Sequence, residues 1–72
     1  MTDTRTAQVG ANVRAEMARR RLPQQSVALA LGLSQTGMSK RLNGIVPWDV
    51  NELAAAAEVL GVPVSVLLEE HT

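Results

Sequence analysis

The stretch QQSVALALGLSQTGMSKRLNG, Gln24–Gly44, decides the fold. Its apolar residues keep helical spacing on both sides of a three-residue break, Gly32–Leu33–Ser34. Before the break, Val27, Ala28 and Leu31 share one face and predict a short helix over Gln24–Leu31. Gly32 stands where a chain leaving a helix needs a left-handed residue, and Ser34 is the type of side chain that caps the next N-terminus. A second helix then runs from Gln35 to about Asn43 and stops at Gly44. Ala28 is small where the second helix must cross the first, and Leu33 and Met38 lock the two together. Each feature is common alone; jointly they specify a helix-turn-helix.

The second helix orients itself by its spacing. Met38 and Leu42 lie about 40° apart around the axis and define the inward face. Thr36, Lys40 and Asn43 fall opposite, Ser39 on the flank, and Gln35 and Thr36 at the N-terminus. These are the handles that read duplex edges: Gln pairs with adenine in bidentate fashion, Lys donates to guanine, and Thr or Ser serves either base. An ordinary solvated face would have a similar composition, so the turn beside it carries the weight. Gln24 opens the preceding helix, where it either caps or donates to a phosphate together with backbone N–H groups. Arg19, Arg20 and Arg21 precede it and either offset a helix dipole or reach the same strand.

Helices extend to both sides. Val9, Val13 and Met17 form one stripe from about Thr6 to Arg21, with Thr6 as a candidate N-cap. Gly10 weakens that helix by about 1 kcal/mol, which marks a close contact. Pro23 closes the segment. Beyond Pro47, Asp49 and Glu52 have capping-box spacing, followed by an apolar stripe of Val50, Leu53, Ala54, Ala57 and Leu60 that ends at Gly61. The Ala54–Ala57 run is explained by helix propensity alone. A fifth helix is predicted over about Pro63–Glu69. The alternation Val62–Val64–Val66 leaves open a strand that pairs between two copies.

Composition narrows the function. A chain of 72 residues with 46% hydrophobic side chains is a single domain, residues 1–72, with a core of Leu, Val, Ala and Met, since Trp48 is the one aromatic. Cys is absent and His71 is the sole histidine, so disulfides, thiolate chemistry, a Ser-His-Asp triad and a His-based metal site drop out. No catalytic constellation exists, and no enzyme activity, metal, cofactor or small-molecule ligand is expected. No apolar run nears the ~18 residues of a membrane span, and the N-terminus has no secretory pattern, which points to the cytoplasm. His71 and Thr72 are expected to fray. The zero net charge hides a separation: residues 1–44 carry seven basic and two acidic side chains, residues 45–72 five acidic and no basic ones. A focused positive surface attracts polyanions even when the whole is neutral.

The same residues carry a family resemblance. Gln24–Gly44 resembles the helix-turn-helix of lambda-repressor-like, Cro/C1-type (XRE family) DNA-binding domains. VGANVRAEMARRRL is similar to the family's first helix and PWDVNELAAAAEVLGVPVSVLL to its last two, so most of the chain is covered. The resemblance to phage repressors and Cro proteins rests on Gln24, Gln35, Gly37 and Asn43–Gly44–Ile45. It implies an all-α, five-helix lambda-repressor-like bundle with residues 35–43 in the major groove. It also implies that Gln24 braces Gln35 and touches a phosphate, Gln35 reads adenine, Asn43 holds the opposite phosphate, and Thr36, Ser39 and Lys40 add contacts. Arg41 occupies a usually apolar place, so its charge should reach phosphate or an acid such as Asp49. Leu42 stands where many members have Glu.

The expected function is therefore a small transcriptional regulator of phage or prophage Cro/repressor type that binds a double-stranded DNA operator. A short recognition helix reads few base pairs, and the resemblance implies a homodimer on a pseudo-palindromic site, its helices about 34 Å apart. The segment 62–70, with Val64 and Leu68 partly exposed, is the candidate dimer surface. Two other readings are an antitoxin of a toxin–antitoxin pair and a protein-interaction adaptor built on the same fold. Steep weakening of binding by salt would mark the DNA reader.

Overall fold

A computed structural model describes residues 4–70 and contains five helices in the order α1 (Thr4–Arg19), α2 (Gln24–Leu31), α3 (Gln35–Leu42), α4 (Val50–Leu60) and α5 (Val64–Leu67). The fraying expected at His71 and Thr72 lies outside the described residues. Each helix end follows from a local residue. Gly32 and Gly61 close α2 and α4 in the left-handed conformation. The Ser34 side chain accepts from the Gly37 N–H at the start of α3, and Asp49 with Glu52 forms a complete capping box at the start of α4.

The core takes residues from every helix: Val9, Val13 and Met17 from α1, Val27 and Ala28 from α2, Met38 and Leu42 from α3, Ala56, Ala57 and Leu60 from α4, and Leu67 from α5. Leu31, Leu33 and Trp48 pack around it. Met38 and Leu42 are the only buried residues of α3, so the recognition candidate is bolted to the core by two side chains. Buried Asn12 adds a polar tie, donating through Nδ2 to the carbonyls of Leu67 (2.9 Å) and Glu69 (2.8 Å). This supplies partners for carbonyls that the short α5 leaves over.

Two sequence expectations are corrected, and of the two readings left open for the C-terminal segment the fifth helix is the one formed. Thr6 does not cap α1, because the helix is already under way at Thr4 and Thr6 is buried within it. Val50 and Ala54 do not face the core: Val50 opens the first turn of α4 at 80% exposure, and the inward stripe is Leu53, Ala56, Ala57 and Leu60. That set keeps the i, i+3, i+4, i+7 spacing of a helix face, rotated from the one expected. The valine alternation makes no strand among the described residues. Pro63 begins a helical turn instead, its carbonyl accepting from the Val66 N–H.

Candidate nucleic-acid interface

Helix α1 sets the position of α3 through a missing side chain. A Cβ built on Gly10 would lie 2.6 Å from the Leu42 carbonyl oxygen and 2.7 Å from that of Arg41. The absence of that atom lets α1 rest directly on the last turn of α3, the close contact expected from the sequence. On the other side, the Trp48 Nε1–H donates to the Arg41 carbonyl at 3.2 Å.

With its inner face held this way, α3 presents a polar outer face. Gln35, Thr36, Lys40 and Asn43 are exposed and Ser39 is half-buried. These five, together with Gln24 and Ile45, line one open groove of about 350 Å³. The structure thus brings Gln24, Gln35, Thr36, Ser39, Lys40 and Asn43 together from the start of α2, the outer face of α3 and the α3 C-cap. Gln24 Nε2 donates to the main-chain carbonyl of Gln35 at 3.4 Å. The contact is to the backbone and not to the Gln35 amide, which keeps its own donors and acceptor for the groove.

Arg41 requires a correction. Its guanidinium does not point to the groove or to Asp49. Nε and Nη2 grip the two oxygens of Glu52 at 2.9 and 3.1 Å, and Nη1 donates to the Gly37 carbonyl at 2.9 Å. The pair is largely covered, with side-chain exposures of 17% and 15%. The Asp49 carboxylate is engaged elsewhere, accepting from the Glu52 N–H at 2.7 Å. Arg41 lies on the flank of α3 that faces α4, so of the two expected partners it takes an acid, Glu52 in place of Asp49, in a fork-on-carboxylate clasp between helices.

The arginine run also divides. Arg19 and Arg20 both pair with the buried carboxylate of Glu16. Among the described residues Arg21 makes no ion pair and is the one non-glycine residue with positive φ, at 54°. The left-handed region costs an L-residue roughly 1 kcal/mol. Lys40 likewise has no carboxylate partner among the described residues.

Two residues at this surface were missed in the sequence. Arg14 of α1 donates through Nη2 to Asn43 Oδ1 at 2.8 Å. Ile45 is 65% exposed at the rim of the groove. Gly10, one turn before Arg14, was the signal that α1 comes close enough to contribute. At the far end, Leu68 is 39% exposed. It borders a cavity of about 190 Å³ with Val9, Pro47, Trp48 and Leu53. Val64 is half-buried and packs on the core. Among the described residues no group of His, Asp and Glu is arranged to hold a metal ion, and no helix is long and apolar enough to cross a membrane.

Solved structures share this architecture. The clp gene regulator ClgR from Corynebacterium glutamicum superposes with a TM-score of 0.85 at 23% identity, covering 92% of this chain and 86% of that one. The restriction-modification controller protein C.AhdI from Aeromonas hydrophila gives 0.80 at 18% identity, with coverages of 86% and 94%. The DNA-binding domain of BldD gives 0.80 at 27% identity over 96% of this chain and all of that one. No curated protein sequence matches the chain. One family model, described as protein of unknown function (DUF739), matches residues 17–70. The chain belongs to the DUF739 family, and its fold is that of the Cro/C1-type helix-turn-helix regulators.

Proposed function

We propose that this chain is a sequence-specific double-stranded DNA-binding domain acting as a small transcriptional regulator of phage Cro/repressor type in the cytoplasm. The observation that carries the reading is the outer face of α3. Gln35, Thr36, Ser39, Lys40 and Asn43 stand around one groove while Met38 and Leu42 anchor the helix from behind. Gln35 and Thr36, at the N-terminal end of α3, read base edges in the major groove, with Ser39 and Lys40 beside them. Gln24, Asn43 and Arg21 contact phosphates and set the register. The chain acts as a homodimer on a pseudo-palindromic operator, with Leu68 and the edge of Val64 in the contact between copies.

Selection of bound duplexes from a random pool tests the whole reading: enriched sequences with two-fold symmetry are expected, and a pool that stays random rejects it. Gln35→Ala is expected to cost about 1–3 kcal/mol on the selected site and little on random DNA. Competition binding measures both, and equal losses on the two would remove Gln35 from base reading.

Arg21→Gly tests the strained position. Relief of the left-handed conformation should raise stability by about 0.5–1 kcal/mol, seen in thermal melts. Loss of the charge should weaken binding to every duplex alike and lower the salt slope by about 1. A residue retained only for structure would show the first effect without the second.

A further inference from the structure

The proposed DNA contacts all belong to α2, α3 and the approach to α2, yet the structure aims one more cation at this surface from α1. Ala7, Gly10 and Arg14 follow one another at three- and four-residue spacing and so share a face of α1. That face straddles the last turn of α3. Ala7 lies under Gly44, Gly10 under the Leu42 carbonyl, and Arg14 reaches Asn43. The close approach at Gly10 is what places the Arg14 guanidinium beside the α3 C-cap.

The consequence for Asn43 is chemical. An exposed asparagine amide offers an acceptor and two donors, and it can turn either end outward. Here Oδ1 is occupied by Arg14 Nη2 at 2.8 Å, and Nδ2 lies 3.4 Å from Ser39 Oγ on the groove side. The amide is thereby oriented with its donors toward the groove. Arg14 itself is exposed and has no carboxylate partner among the described residues, so guanidinium N–H groups remain open next to the oriented amide. Donors from two side chains converge at one edge with no acid between them, which suits a doubly bonded oxyanion.

Building on the DNA-binding reading, we infer that Arg14 and Asn43 form a two-residue phosphate clamp at the C-terminal end of α3. Arg14 contacts the phosphate directly and also acts as a positioning residue that holds the Asn43 amide donor-outward. The clamp reads no base. It fixes the angle at which α3 lies in the groove, working opposite the contacts from Gln24 and Arg21.

The test is a double-mutant cycle on binding to a selected duplex and to a random duplex, each titrated with salt. Arg14→Ala is expected to weaken both complexes about tenfold at low salt, and to reduce the salt slope by about 0.9. Asn43→Ala should weaken binding without that change in slope. The double variant should lose less than the product of the single losses, because Asn43 loses its orientation once Arg14 is gone. Asn43→Asp should abolish the clamp outright, its carboxylate taking up the guanidinium and repelling phosphate. An unchanged slope in Arg14→Ala, or strictly multiplicative losses, overturns the clamp while the wild-type protein still binds DNA. Failure of the wild-type protein to bind any duplex overturns the functional reading beneath it. Unaltered thermal melts of Arg14→Ala confirm that the effect lies at the surface.

Discussion

Gly44→Ala is expected to destabilise the fold by about 2–4 kcal/mol, through two effects that act at the same atom. The residue stands at φ +76°, where a Cβ strains the backbone by roughly 1 kcal/mol. That Cβ would also lie 2.9 Å from the Ala7 Cα and 3.1 Å from its Cβ. Ala7 is part of a helix and cannot swing aside, so α1 itself must move, and overpacking of this kind costs about 1–3 kcal/mol. Gly32→Ala separates the two effects. It has a similar φ of +70° with nothing within 4 Å of the added carbon, so the conformational part alone is expected, about 1 kcal/mol. For a domain of this size, 1 kcal/mol moves the melting midpoint by about 4–8 °C. Equal shifts in the two variants would show that contact with Ala7 plays no part.

Met38→Ala should have the largest effect of any substitution considered. Met38 has no exposed surface and is one of two buried residues that fasten α3. Truncation of a buried Met costs about 2–5 kcal/mol, with the upper end reached where the site cannot collapse. A single core in so short a chain supplies about 3–5 kcal/mol in total. The variant is therefore expected to lose its cooperative melting transition near room temperature. Met38→Leu nearly conserves volume and should stay within about 1.5 kcal/mol of the wild type. A cooperative melt in Met38→Ala at close to the wild-type midpoint would show that α3 is held by something other than this side chain.

What was legible in the sequence was local. The turn at Gly32–Leu33–Ser34, the Asp49–Glu52 capping box and the glycine stops are each decided by a few neighbouring residues, and the helices follow them closely. The polar outer face of α3 was legible for the same reason, since one helical period fixes which residues stand opposite Met38 and Leu42. What was not legible depends on which helices meet. The sequence offers Arg41 a phosphate or a nearby acid such as Asp49, and only the placement of α4 selects Glu52, eleven residues away. Arg14 reads as one charge among many until the packing at Gly10 sets it against Asn43, twenty-nine residues on. Asn12 gave no sign of serving the far end of the chain, which it meets across fifty-five residues. Val50 fell in the expected stripe by period alone, yet it stands 80% exposed while Ala56, outside that stripe, is fully buried. Periodicity names a face; only tertiary packing selects its partner.

Trp48 carries a practical consequence. The chain contains no other tryptophan and no tyrosine or phenylalanine, and this indole is hydrogen-bonded to the backbone of Arg41 where α3 gives way to the loop before α4. Its intrinsic fluorescence is therefore a single-site optical reporter on the foot of the third helix. Red-shifted emission would register that foot coming loose, and quenching on addition of duplex would time the encounter, both without a label.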